Sequence, residues 1–191
     1  MLGEIKVDEK YANILKLLGV SISKMFKISC PRVYKISDIQ YSQSYYGYPD
    51  EETGKSVKPP VWDNIFNNCG SQDLCIIDNG DYIYLYVGSR LEEQLIYDIF
   101  GYESFEQLVH YGVSTLEVQM ETDAYIRIIN IIEQLRSEST DSYQPIEVIL
   151  ENSIKFKELK MYSLIEDSIN TNREFSYPDF MSHLHNIIRL S

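Results

Sequence analysis

The sequence predicts an α+β fold in which helices cover both faces of a β-sheet. First, the stretch from Leu74 to Phe100 has the pattern of a strand, a turn, a second strand and a helix. Second, residues 122–135 carry apolar side chains at helical spacing, which is typical of a long amphipathic helix that packs on a sheet. With 191 residues, the chain has the length of one domain or of two small ones.

The second strand of this stretch, 82–87, is expected at the centre of the sheet. Its isoleucine, leucine and valine share one face, and Tyr82, Tyr84 and Tyr86, the tyrosine stripe, share the other. Since both faces are apolar, helices should cover both. The Asn79-Gly80 pair before it suits a type I′ turn. The tyrosine stripe could bind a partner, but burial under a helix of the same domain is the more frequent outcome.

The remaining elements follow from apolar periodicity and from breaking residues. Before the hairpin, the sequence predicts a helix at 8–28 (or two shorter ones), a strand at 32–41, a surface loop at 42–60 and an apolar element at 61–66. After it, the sequence predicts helices at 91–100 and 122–135, a short helix or loop at 102–113, a strand at 146–150, and helices at 156–165 and 177–190.

Capping residues support the boundaries of two helices. Gly101 suits a left-handed C-cap for the helix that ends at Phe100. Thr122 or Asp123 can cap the N-terminus of the long helix. The apolar stripe of the long helix is expected at Tyr125, Ile128, Ile129, Ile132 and Leu135.

Composition and charge exclude several classes of protein. The formal net charge of −12 repels phosphate backbones and anionic lipid headgroups, so we expect neither nucleic acid nor direct membrane contact. The three cysteines form no CxxC pair, and neither a disulfide framework nor a zinc site is expected. The sequence shows neither a signal-peptide pattern nor an apolar run of about 20 residues, which predicts a cytoplasmic protein.

Motifs that resemble functional sites lack essential parts. Gly54-Lys55-Ser56 resembles the end of a P-loop, but Pro49 stands where a glycine is required. The turn from Asp78 to Asp81 resembles a calcium loop, but Cys75 would fall at a ligand position. The two histidines near the C-terminus stand two residues apart and would face different sides of a helix. We therefore expect no catalytic, cofactor-binding or metal-binding residues, and no enzymatic activity.

The stretch from Ile77 to Gly88, IDNGDYIYLYVG, resembles the LDNGEYIYLWVG motif of the cargo-adaptor subunit of the COPII inner coat, the Sec-twenty-four family. Other motifs resemble that family in the same order: CPRVY at 30–34, PDE, GK and PPV within 49–61, DIFG at 98–101, YQPI at 143–146, SLIED at 163–167, and SYPDF with HLH within 176–185. The resemblance runs from Lys27 to the C-terminus. Tyr86 replaces the family's usual Trp, and Ser163 replaces a common aromatic residue.

The resemblance implies a gelsolin-like fold, with a mixed sheet between a long and a short helix and with flanking helices of an all-helical domain. Residues 1–30 would end the all-helical domain, 31–150 would form the gelsolin-like domain, and 151–191 would form C-terminal helices that pack on the helical domain. The family's zinc finger, trunk and β-sandwich would lie outside this chain. The chain is therefore expected to be a fragment or a truncated gene model.

The resemblance also implies a structural role in a cargo-selecting adaptor for ER-to-Golgi transport, cytoplasmic and peripheral on ER-derived COPII vesicles. Partners of the full-length protein would be the Sec-twenty-three coat subunit and cargo sorting peptides, with Tyr162, Ser163 and Asp167 contributing to peptide binding. No cofactor is implied for this fragment, since the family's zinc finger lies upstream. An actin-binding, calcium-regulated gelsolin-type repeat is the alternative, because the fold is shared.

Overall fold

The computed structural model describes residues 31–41, 44–62, 69–117, 121–139 and 143–162. Within these ranges, the strands are β1 (Arg32–Lys35), β2 (Leu74–Asp78), β3 (Ile83–Val87) and β4 (Ile146–Leu150). The helices are α1 (Glu93–Phe100), α2 (Phe105–Tyr111), α3 (Asp123–Glu138) and α4 (Ile154–Tyr162). The helices predicted at 8–28 and 177–190 lie outside the described residues, as does most of the apolar element predicted at 61–66.

The four strands form one mixed sheet in the order β1-β2-β3-β4. The β1–β2 and β2–β3 pairs are antiparallel, whereas β3 and β4 are parallel. Parallel neighbours need a long crossover connection, and α1, α2 and α3 supply it. All five residues of β3 are buried, which confirms the prediction of a central strand.

Each edge strand of the sheet is bonded to a neighbouring loop. The N–H group of Trp62 donates to the carbonyl of Val33 in β1 at 2.8 Å. At the other edge, the N–H group of Val148 in β4 donates to the carbonyl of Ser114, also at 2.8 Å. These bonds use backbone groups that would otherwise point outward from the sheet.

The two faces of the sheet carry separate apolar clusters. The larger cluster holds Ile83, Leu85 and Val87 of β3 together with the buried sides of α1 and α3. The smaller cluster holds Tyr84 and Tyr86 with residues of β1, β2, β4 and α4. The sheet therefore lies between the long helix α3, of 16 residues, and the short helix α4, of 9 residues. This arrangement confirms the predicted α+β class with a mixed sheet.

Capping interactions explain where α1 and α3 begin and end. Gly101 has a φ of 74°, and its N–H group donates to the carbonyl of Tyr97, so it is the predicted left-handed C-cap of α1. The Thr122 side chain accepts from the N–H group of Tyr125, so Thr122 rather than Asp123 is the N-cap of α3. The ambiguous segment at 102–113 contains the helix α2.

The β2–β3 turn differs from the predicted type I′ geometry. The register pairs Asp78 with Ile83, so four residues connect the strands. Gly80 has a φ of 88°, but Asn79 does not have the positive φ that a type I′ turn requires. Instead, Asn79 Oδ1 accepts hydrogen bonds from the N–H groups two and three residues further on, at 3.0 and 2.8 Å. The prediction was wrong because the asparagine shapes the turn through its side chain.

The strand predicted at 32–41 is shorter than expected. β1 ends at Lys35, and two turns follow it. They are closed by N–H to carbonyl bonds from Ile39 to Ile36 and from Tyr41 to Asp38, both of 3.0 Å. These turns start the surface loop, of which residues 38–41 and 44–58 are described, and this described part contacts α3.

Arg127 holds this loop against α3. Its side chain is only 2% exposed, although it carries a charge. Nε donates to the carbonyl of Tyr46 at 2.7 Å, Nη2 donates to the carbonyl of Ser44 at 2.5 Å, and Nη1 donates to the carbonyl of Ile39. The carboxylate of Asp123 lies 3.5 Å from Nη1 and balances the charge. One guanidinium thus satisfies three carbonyls of a segment without regular secondary structure.

The position of Arg127 modifies the predicted apolar stripe of α3. Tyr125, Ile128, Ile132 and Leu135 are buried as predicted, and the other buried residues of this helix are Ala124, Arg127 and Ile131. Ile129, which was expected in the stripe, is only half-buried. The buried side of α3 is therefore rotated toward the loop that Arg127 binds.

Gly47 allows the loop to approach the backbone of α3. Its φ is 84°, and a Cβ at this position would lie 2.5 Å from the carbonyl oxygen of Arg127. Asn130 Nδ2 donates to the carbonyl of Gly47 at 3.0 Å. Glycine is required here because any other side chain would combine backbone strain with a collision.

Replacement of this glycine should destabilise the fold more than replacement of a glycine in open space. Gly54 also has a positive φ, of 66°, but nothing lies within 4 Å of the position that a Cβ would take there. We expect Gly47→Ala to lower the free energy of unfolding by about 2–5 kcal/mol, and Gly54→Ala by only about 1–2 kcal/mol. Urea denaturation of the full chain measures both. Equal losses would show that the close approach at Gly47 carries no energetic weight.

Removal of the Arg127 guanidinium should loosen the loop and destabilise the protein. Arg127→Met leaves three carbonyls without their donor. We expect the free energy of unfolding to fall by about 3 kcal/mol or more. Thermal unfolding measures the stability of the variant. Limited trypsin digestion at the exposed Lys55 measures how firmly the loop is held, and cleavage should be faster in the variant. Arg90→Met, at an exposed arginine, is the matched control and should be nearly neutral; similar behaviour of the two variants would contradict the prediction.

Candidate functional site

The predicted peptide-binding residues lie at and beyond the end of α4. Tyr162 is the last residue of this helix, and the structure describes its backbone but not its side chain. Ser163 and Asp167 lie outside the described residues. What the structure does describe is how the helix leading to these residues is held on the sheet.

A tight turn directs the chain from β4 into α4. Asn152 has a φ of 64° and is the single non-glycine residue with a positive φ in the described ranges. The N–H group of Ser153 donates to the carbonyl of Leu150 at 3.1 Å. Ser153 Oγ then accepts from the N–H group of Phe156 at 3.2 Å, which caps the first turn of the helix. This geometry sets the direction in which α4 leaves the sheet.

Glu151, just before this turn, binds two loops at the same end of the sheet. Oε1 accepts from the Ser71 hydroxyl at 2.9 Å, and Oε2 accepts from the N–H group of Ser89 at 2.7 Å. Burial acts to raise the pKa of Glu151, but the hydrogen bonds from Ser89 and Ser71 outweigh it, so the pKa lies below its ordinary value. The ionised carboxylate therefore stabilises the junction from which α4 starts.

Helix α4 packs on the tyrosine stripe of β3. The Tyr86 ring lies 4.7 Å from the ring of Phe156, and the Tyr86 hydroxyl donates to the carbonyl of Gly70 at 3.3 Å. Tyr84 is also buried, and its ring is stacked on that of Tyr82 at 5.6 Å. Burial raises the pKa of both Tyr84 and Tyr86. Because Tyr82 alone of the three is exposed, the stripe as a whole is covered rather than open to a partner.

The opposite end of the sheet is joined by Asp78. This buried carboxylate accepts from Arg32 Nη2 at 2.5 Å, and from Gln144 Nε2 and the N–H group of Gly80 at 2.9 Å each. The backbone carbonyl of Gln144 accepts from Nε and Nη2 of Arg136 at 3.0 and 2.6 Å. The side chains of Arg32 in β1 and Gln144 before β4 thus meet at Asp78 in β2, and Arg136 of α3 binds the backbone at Gln144. Asp78 is engaged by protein groups, in agreement with the hairpin interpretation of this turn.

The Gly54-Lys55-Ser56 motif lies in a small hairpin. Pro49 and Ser56 form an antiparallel bridge, and the N–H group of Gly54 donates to the carbonyl of Asp50 at 2.8 Å. The Thr53 hydroxyl and N–H group both donate to Asp50 Oδ1 at 2.8 Å, and these bonds hold the pKa of Asp50 below its ordinary value. No helix follows within the described residues 57–62, whereas a P-loop leads into a helix that binds phosphate.

In the part of the chain that the structure describes, no three histidine, cysteine, aspartate or glutamate side chains are grouped so that they could hold a metal ion. Within the same ranges, each helix is too short or too polar to cross a membrane.

The residues that join the elements were not identified from the sequence. Arg127 had a signal, because it stands three residues after Ala124 and four before Ile131, on the buried side of α3. Asp78 and Glu151 stand at the ends of buried strands, but their partners are distant in sequence. Arg32 is 46 residues from Asp78, and Ser71 is 80 residues from Glu151.

The chain is similar to protein transport proteins of fungi. No protein-family model matches it. It is 36% identical over 108 residues to protein transport protein SEC24 of Yarrowia lipolytica, a match that covers 56% of this chain and 11% of the relative. It is 25% identical over 201 residues to SEC24-2 of Candida glabrata, covering 96% of this chain and 21% of the relative. It is 29% identical over 134 residues to sec24 of Aspergillus oryzae, covering 70% and 14%.

The fold is similar to that of a solved human protein. The crystal structure of the human COPII-coat protein Sec24c matches with a TM-score of 0.60 and 21% sequence identity. The match covers 90% of this chain and 20% of that structure. This likeness shows that the α+β fold described above occurs in a coat protein.

The chain is thus similar to SEC24 proteins in sequence and to a SEC24 protein in fold, which confirms the resemblance seen in its motifs. It spans about a fifth or less of the length of the curated relatives named above.

The hydrogen bonds of Glu151 should make stability depend on acid pH. Since the folded-state pKa is depressed, the stabilisation is present above the unfolded-state value of about 4.3 and is lost as the pH falls through the lower folded-state value. We expect Glu151→Gln to reduce the free energy of unfolding by about 1 kcal/mol at pH 7, with the difference vanishing in acid.

Urea denaturation of both proteins between pH 7 and pH 3 measures this dependence. Glu51→Gln, at an exposed glutamate of the surface loop, is the matched control and should leave the pH profile unchanged. A Glu151→Gln profile parallel to that of the natural chain would contradict the role assigned to the carboxylate.

Proposed function

We propose that this chain is part of a COPII coat subunit and acts in ER-to-Golgi protein transport. The observation that carries the proposal is its similarity to fungal protein transport proteins over up to 96% of its length. The similarity of its fold to that of a human COPII-coat protein supports the same conclusion.

The role that best fits the geometry is that of a structural module in a cargo-selecting adaptor, without enzymatic activity. Asp78 and Arg127 are both buried, and each binds other groups of the protein. Asp73, also buried, pairs with Lys35 at 2.5 Å and accepts from the N–H group of Gly70. Charges used in this way stabilise a fold and its loops, rather than act on a substrate.

The proposal extends to domains, partners and location. Residues 31–150 form the gelsolin-like domain, while 1–30 and 151–191 belong to an adjoining helical domain. Through the full-length protein, the partners are the Sec-twenty-three coat subunit and cargo sorting peptides. The protein is cytoplasmic and peripheral on ER-derived vesicles. The actin-binding, calcium-regulated alternative is not proposed, because the matched relatives are protein transport proteins.

Within this function, we propose that Tyr162, Ser163 and Asp167 contribute to a cargo-peptide pocket. The capped turn at Ser153 and the contact of Phe156 with Tyr86 support this role, because they fix the helix that leads to the three residues. A pocket at the end of a helix that is anchored in this way would be held in a defined position on the sheet.

A chimeric coat subunit tests the proposed function. In SEC24-2 of Candida glabrata, this chain would replace the segment to which it is similar. We expect the chimera to co-precipitate the Sec-twenty-three subunit and to restore growth when the natural protein is depleted. A chimera that is stably expressed but neither pairs nor supports growth would overturn the proposal.

Two variants of the chimera separate the structural role from the peptide site. Gly47→Ala, which disturbs the contact of the loop with α3, should lower the amount of the chimera and its support of growth. The combined change Tyr162→Ala, Ser163→Ala and Asp167→Asn should preserve coat pairing and reduce the capture of cargo peptides. Unchanged capture would remove these residues from the pocket without affecting the proposed coat function.

A further inference from the structure

Three tyrosines of the surface loop are exposed, in contrast to those of β3. Tyr41 is 57% exposed, Tyr45 is 72% exposed and Tyr48 is 42% exposed. Exposed aromatic side chains are unfavourable in water, and tyrosine is enriched where proteins bind one another. A group of three in one short loop therefore indicates an interaction surface.

Arg127 holds the described parts of the loop, 38–41 and 44–58, which carry these tyrosines, against α3. Ile39, Ser44 and Tyr46, which alternate with the exposed tyrosines along the chain, all offer their carbonyls to the single guanidinium of Arg127. The turns that carry the exposed tyrosines therefore lie together around the N-terminal half of α3. A surface that is ordered before binding loses less conformational entropy when a partner binds.

Carboxylates stand beside these rings. The Tyr41 hydroxyl donates to Glu92 Oε2 at 3.4 Å, and the Tyr48 hydroxyl donates to Asp123 Oδ1 and Oδ2 at 2.9 and 3.0 Å. Arg127, which lies 3.5 Å from Asp123, is buried and already bonded to carbonyls of the loop, whereas the side chain of Asp123 is 65% exposed. The exposed side of this region therefore presents aromatic rings and negative charge.

Rings beside carboxylates suit the binding of guanidinium groups. A planar guanidinium stacks on an aromatic face and pairs with a carboxylate at its edge, whereas an ammonium group does so less well. The protein uses this contact internally. The guanidinium carbon of Arg127 lies 4.4 Å from the centre of the Tyr48 ring, and that of Arg136 lies 4.1 Å from the centre of the Tyr143 ring.

We propose that the acidic tyrosine surface, formed by Tyr41, Tyr45, Tyr48, Glu92 and Asp123, binds an arginine-rich segment of a partner protein. The net charge of −12 favours a cationic partner and opposes nucleic acid and anionic lipid. This surface is distinct from the end of α4, where the cargo-peptide pocket is proposed, and its function does not depend on that pocket.

The test uses the full chain and a fluorescein-labelled nonapeptide of alternating arginine and glycine. Fluorescence anisotropy should show saturable binding, which is weaker for the equivalent lysine peptide. Tyr45→Ala and Glu92→Gln should each lower the affinity for the arginine peptide by about two- to fivefold, because one exposed cation–π or ionic contact is lost. Truncation of the strongly exposed Tyr45 leaves the core intact, and circular dichroism checks the fold of each variant.

Matched controls lie on α2, away from this loop in sequence. Tyr111 is 64% exposed, and Glu106 is exposed in the first turn of that helix. Tyr111→Ala and Glu106→Gln should leave the affinity unchanged. The proposal is overturned by an absence of saturable binding, by equal losses in the α2 variants, which would indicate diffuse charge attraction, or by an affinity that Tyr45→Ala does not alter.

Discussion

The guanidinium of Arg127 is the interaction on which the arrangement of the loop and the long helix depends. Transfer of this charge from water into the interior is unfavourable, and it is offset because the group binds three carbonyls and lies 3.5 Å from the Asp123 carboxylate. The three carbonyls belong to the part of the loop that precedes its small hairpin at Pro49 and Ser56, and no strand of the sheet pairs with them. The arginine thus supplies the hydrogen-bond donors that a neighbouring strand would otherwise supply. Gly47 lets the loop backbone approach α3 closely enough for these bonds to form.

Two carboxylates perform a comparable task at the two ends of the sheet. Asp78 joins β1 and the segment before β4 to the end of β2, and Glu151 joins the end of β4 to the loops at Ser71 and Ser89. Between them, β3 lies with its aliphatic residues against α3 and its buried tyrosines against α4. Polar contacts at the ends thus set the register, while apolar contacts in the middle supply most of the stability.

The sequence predicted what depends on local pattern. The hairpin strands, the long helix with Thr122 at its start and the C-cap at Gly101 are confirmed, because periodicity and caps act over a few residues. The turn type was wrong, since the Asn79 side chain decides it. The role of Arg127 was missed, because its carbonyl partners lie 81 to 88 residues away. Of the peptide-binding residues, the structure describes only the backbone of Tyr162, so that prediction stays open to experiment.

The bonds that Trp62 and Ser114 make with the edge strands affect how readily a second copy of the chain can pair with the sheet. Where many copies of a protein are crowded together, an uncovered edge strand is a template on which a second copy can add its own strand. Here each edge already has one backbone group bonded within the chain. A sheet whose edges are partly bonded in this way offers fewer backbone groups to a second copy, so that side-chain contacts rather than strand addition decide what binds beside it.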